Sequence, residues 1–158
     1  MQTIEYRNVQ DKSKWKRGPW DSEPDKVQWQ DAVTGLPCLV VRGPMGALCG
    51  YVGVGRQHPL HGQDYEKPGV VVHGGLTFAD GCGPGAEDRA VCHRPGAGEP
   101  DDVWWFGFDC AHADDICPCM GRPLVHDAQY RDLAYVTEQC ALLAVQLKAL
   151  EDARLPKR

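Results

Sequence analysis

Leu36-Pro37-Cys38-Leu39-Val40-Val41-Arg42, then Gly43-Pro44-Met45-Gly46, then Ala47-Leu48-Cys49-Gly50-Tyr51-Val52-Gly53-Val54 is the stretch that decides the fold class. Two short apolar runs joined by a Gly/Pro turn predict an antiparallel hairpin. Val103-Trp104-Trp105-Phe106-Gly107-Phe108 predicts a further strand, apolar enough to be buried on both faces. Residues 69–78 predict another, interrupted by Gly74 and Gly75, and paired glycines in a strand mark a bulge or a close backbone approach. The glycines at 50, 53 and 55 look superficially like a nucleotide fingerprint, but no helix pattern follows them, so that reading fails.

The strong helix pattern lies near the C-terminus. Tyr130, Leu133, Thr137, Cys140, Ala144 and Leu147 recur at alternating three- and four-residue steps, with Asp127 as the expected N-cap and Pro156 as the stop. Ala134, Val136, Leu142, Leu143 and Val145 extend the apolar surface beyond that stripe. The helix is therefore expected to pack on two sides, either under the sheet's edge or against a second copy, and its broad apolar face predicts a homodimer through residues 130–150. The pattern is that of an α+β fold: a single domain with a largely antiparallel sheet of about four or more strands and one long C-terminal helix. Residues 1–17 are expected as a polar, basic N-terminal arm, 18–155 as the globular domain and 156–158 as a basic tail. Trp15, Trp20 and Trp29 are expected to fasten the irregular N-terminal segment, and residues 80–102, rich in Gly, Pro and acid, to form a long surface loop or flap.

A chain of 158 residues suffices for one domain that buries roughly 70% of its unfolded surface. Its net charge of −5 argues against sequence-independent nucleic-acid binding, so no nucleic-acid partner is expected. No apolar run approaches the ~20 residues of a membrane span, and none is expected. No secretory pattern is visible at the N-terminus, so a cytoplasmic protein with its eight cysteines reduced is expected. Cys38, Cys49 and Cys140 read as core thiols. Lys12, Lys14, Lys16 and Arg17 read as a solvated cluster.

Polar chemistry concentrates between His58 and Cys119. The candidate ligand-binding residues are His58, His61, His73, Gly74, Gly75, Asp109 and His112, which fall at predicted strand ends and loops. Asp109, His112 and Asp115, at three-residue steps, would make with His73 a mixed N/O set suited to a divalent ion that activates water. A zinc or other divalent site is also open to Cys110, His112, Cys117 and Asp115, with Cys119, Cys82, Cys92 and His93 nearby in sequence, although C-x-H and C-x-C spacings are tighter than the usual knuckle. A Cys110–His73 nucleophilic pair is a further option. The bland alternative is that the acids cap turns and the histidines bind backbone carbonyls.

The segments His58-Pro59-Leu60-His61-Gly62, Val72-His73-Gly74-Gly75-Leu76-Thr77, Cys92-His93 and Gly107-Phe108-Asp109-Cys110-Ala111-His112 resemble, as a set, a family of small uncharacterised proteins of bacteriophages and bacterial mobile elements. The resemblance spans roughly residues 18–150; Asp114-Asp115 and Cys117-Pro118-Cys119 depart from it. It implies a phage-type accessory protein in bacterial cytoplasm. The leading expectation is sequestration of a small polar, nucleotide-derived ligand such as a host-defence signal. The alternatives are a metal-dependent hydrolase of a phosphorylated or nucleotide substrate, and an inhibitor of a host protein.

Overall fold

The computed structural model describes residues 1–123 and 125–154; the expected tail at 156–158 and the stop at Pro156 lie outside them. The predicted hairpin is present as β3 (Pro37–Arg42) and β4 (Leu48–Val54), paired antiparallel from Cys38↔Val52 to Arg42↔Leu48. It nucleates a six-stranded antiparallel sheet ordered β1-β2-β3-β4-β6-β5. The other strands are β1 (Ile4–Tyr6), β2 (Lys26–Gln30), β5 (Phe78–Asp80) and β6 (Trp104–Asp109). The helix α1 (Leu133–Asp152) crosses one face, completing an α+β domain. No described helix is long and apolar enough to cross a membrane.

Strand alternation puts a core on each side of the sheet. Cys38, Val40, Val52, Phe106 and Phe108 meet Val136, Cys140, Leu143, Ala144 and Leu147 of α1. Gly50 permits this contact: a Cβ there would lie 2.4 Å from the Phe108 ring and 2.8 Å from Cys140 Sγ. Leu39, Val41, Tyr51, Val103 and Trp105 form the other core. As expected from its composition, β6 is buried on both faces.

Four expectations need correction. The N-terminal segment is not only an arm, because residues 4–6 form the edge strand β1 on β2. Residues 70–77 are not a strand. Their backbone turns at His73-Gly74 and lies against α1, where Gln146 accepts from Val71 N and donates to Val71 O, while Gln139 accepts from His73 N. Side-chain amides spaced two helical turns apart thus satisfy backbone groups that a neighbouring strand would otherwise pair. The helix cap is Asp132, whose side chain accepts from Tyr135 N at 2.9 Å, so Asp127 and Tyr130 precede the helix. Finally, Cys82 and Cys92 are disulfide-bonded, while the other six cysteines are free.

That disulfide belongs to the 80–102 loop, which covers the second core. Lys26, buried on β2, donates to the carbonyls of Glu87, Ala90 and Cys92, and Gln28 exchanges hydrogen bonds with the backbone of Arg94. The main stripe of α1 covers this chain's own sheet. Leu142 and Val145, 55% and 50% exposed, are the large apolar residues that the described helix leaves to solvent.

Candidate functional site

The turn at Gly74-Gly75, the end of β6 and the start of α1 meet beside one edge of the sheet. Gly74 and Gly75 have φ of +65° and +78°, so the chain reverses directly after His73. At the end of β6, Asp109 accepts from Ala111 N and from Thr77 Oγ1, holding the turn that presents His112. Asp115 then enters an isolated parallel bridge with Gln129, which brings Arg131 alongside.

Asp115 is the hub. Its side chain is fully buried, and Oδ2 lies 2.9 Å from His73 Nε2, 3.1 Å from His112 Nδ1 and 3.0 Å from His112 N. Oδ1 accepts from Arg131 Nε at 2.9 Å. Burial alone would raise its pKa, but the hydrogen bonds from His73, Arg131 and His112 outweigh it and hold the carboxyl down at about 2. An ionised carboxylate can only accept, so both imidazole nitrogens facing it carry protons. In the neutral ring His73 Nδ1 accepts a hydrogen bond from the Tyr135 hydroxyl, at 2.7 Å. His112 likewise turns Nδ1 toward the carboxylate. Its ring is one third exposed and packs edge-on against His73, with centroids 5.6 Å apart.

His112 and Asp115 also line a cleft of about 240 Å³, whose wall includes Lys16, Arg17, Trp20 and Arg122. Two members of the basic cluster expected as solvated therefore border the site. A third, Lys12, pairs with buried Asp25 at 2.6 Å. Trp20 is a fastener, donating to Lys16 O and meeting Tyr130 edge-on at 5.0 Å.

Of the residues singled out from sequence, His73, Gly74, Asp109, His112 and Asp115 come together. His58 and His61 do not: His58 Nε2 donates to Leu147 O and His61 Nε2 to Asp102 O. Leu147 lies twelve residues beyond Tyr135, about 18 Å along the helix. The room expected beside Gly74 is filled by the chain itself, since a Cβ there would lie 2.2 Å from His112 Cε1; Gly75 faces open space. Cys110 and Cys117 are buried, and desolvation pushes both thiols above their ordinary range. Among the described residues, the ligand atoms that do converge, all within 4.8 Å of one another, belong to His73, His112 and Asp115. Tyr135, Arg131 and Gln139 were missed from sequence, where they look like helix-surface residues; a Tyr and a Gln one turn apart opposite a histidine segment was the available signal. Comparison with family models, curated proteins and solved structures finds no match to this chain.

Proposed function

We propose that the chain binds a small anionic, phosphate-bearing ligand of nucleotide type in the cleft at His112 and acts as an accessory protein that sequesters it. One observation carries this reading: three cationic side chains, Lys16, Arg17 and Arg122, surround a cleft that also contains His112, in a chain of net charge −5. Guanidinium groups recognise phosphate oxygens through paired donors, and Lys supplies a further point charge. The volume of about 240 Å³ is below the ~300–1,000 Å³ typical of drug-sized ligands, which favours a mononucleotide or smaller molecule over a cyclic dinucleotide. The resemblance to small phage and mobile-element proteins supplies the context in which such a ligand is a host signal.

Calorimetry against inorganic phosphate, mononucleotides, the matching nucleosides and a cyclic dinucleotide tests the reading. Phosphorylated ligands should bind, more weakly as salt rises, and Arg122→Ala and His112→Ala should each cost about tenfold or more in affinity, roughly one charge-assisted hydrogen bond. Nucleosides binding as tightly as their phosphates, or Arg122→Ala without effect, would overturn it.

A further inference from the structure

We infer that His73, His112 and Asp115 form a site for one divalent first-row transition ion, with His73 Nε2, His112 Nδ1 and Asp115 Oδ2 as its protein ligands. Two imidazoles and one carboxylate suit such ions, whereas Mg²⁺ and Ca²⁺ prefer all-oxygen sets. The spacing agrees. Two ligands about 2.1 Å from one ion stand about 3.0 Å apart at a right angle and about 3.4 Å apart at the tetrahedral angle. The two nitrogens stand 2.9 and 3.1 Å from Asp115 Oδ2, the separations of ligands at right angles on one ion, and all three ligand atoms lie within 4.8 Å of one another.

The surrounding contacts are those a metal site needs. A ligating imidazole is oriented by a partner on its other nitrogen, and His73 Nδ1 faces Tyr135 Oη at 2.7 Å. A ligating carboxylate is held through its outer oxygen, and Asp115 Oδ1 accepts from Arg131 Nε. The protons balance without release. When the ion takes the nitrogens now facing Asp115, each neutral imidazole keeps one proton and moves it to the opposite nitrogen. His73 Nδ1–H then donates to Tyr135 Oη. His112 Nε2 then carries that ring's proton.

The site is independent of the anion reading and is tested without any nucleotide. The full chain, stripped by chelator and dialysed, is titrated with Co²⁺ and Zn²⁺ by calorimetry and visible absorption. The expected result is one ion per chain, weak d–d bands of five- or six-coordinate Co²⁺, no thiolate-to-cobalt charge transfer, and displacement by Zn²⁺. His73→Ala and His112→Ala should each weaken binding about tenfold or more, while exposed His126→Ala leaves it unchanged. Circular dichroism checks that each variant folds. Should one fail, the imidazole NMR signals of His73 and His112 in the unsubstituted chain must both shift on adding Zn²⁺. Absence of binding by the unsubstituted chain, a thiolate band, or unchanged affinity in both folded histidine variants overturns the assignment. Ion binding without phosphate binding would sink the anion reading and leave this one standing.

Discussion

Replacing Gly74 by Ala, with Gly75→Ala as its control, tests whether the site is assembled as described. Both positions hold φ near +70°, where an L-residue costs roughly 1–2 kcal/mol, so each substitution carries that backbone penalty. Only Gly74 meets an obstacle, because its new methyl would lie 2.2 Å from His112 Cε1. His112 N is tied to Asp115 and Ala111 N to Asp109, so the ring must rotate away and give up its contact with Asp115. A hydrogen bond to a charged acceptor is worth about 1.5–3 kcal/mol, reduced here to about 1 because the ring is one third exposed to water. Gly74→Ala should therefore cost about 2–3 kcal/mol and Gly75→Ala about 1–2, read from urea denaturation midpoints at constant slope. For a chain of this size each kcal/mol lowers Tm by about 2–4 °C. Equal midpoints for the two variants, or Gly74→Ala with unaltered Co²⁺ and phosphate binding, would refute the proposed packing of His112 on Gly74.

Leu143→Ala, at a fully buried position against the sheet, should cost about 2–5 kcal/mol, whereas Leu142→Ala, at a 55% exposed one, should change stability by less than about 0.5. Comparable losses in thermal melts would mean that the helix is rotated from the face assigned to it. Thiol titration of the denatured chain without reductant should count six free thiols, and eight after reduction; closing the loop from Cys82 to Cys92, ten residues apart in sequence, contributes about 3 kcal/mol on chain entropy. Eight thiols at the first step would show that the bond is absent. Asp25, although burial opposes its charge, is held ionised by Lys12, Gln10 N and Arg42, and its folded pKa lies below the unfolded value of about 3.9. Its stabilisation is thus fully present above about pH 4 and is lost as pH falls through the depressed folded value. Tm of Asp25→Asn should fall less steeply with acid than that of the unsubstituted chain, and parallel acid profiles would count against the pairing.

The elements legible in sequence were those whose stabilisation is local or periodic. The β3–β4 hairpin announces itself by two apolar runs and a Gly/Pro turn, and α1 by its recurring apolar residues, so both were readable without knowing their neighbours. β2 was missed because Lys26 and Gln28, polar residues at alternating positions, are buried on it. Their signal was the polar/apolar alternation of Lys26-Val27-Gln28-Trp29-Gln30, and their burial depends on carbonyls about sixty residues away. The 69–78 segment has strand composition, but its backbone partners are two glutamine side chains on α1, which composition does not encode.

The candidate site divides in the same way. Sequence alone marked His73, Asp109, His112 and Asp115 as polar groups beside glycines and strand ends, because those residue types are chemically conspicuous wherever they fall. It could not separate them from His58 and His61, whose imidazoles are equally conspicuous but bind backbone carbonyls elsewhere. Nor could it bring Lys16 and Arg17, about a hundred residues earlier, to the wall of the His112 cleft. Tertiary structure decided which nitrogen of each imidazole faces Asp115, because hydrogen bonds and ion coordination depend on ångström-scale distances between atoms remote in the chain. Local patterning determined the α+β architecture, and the packing of loops over that frame determined the chemistry it presents.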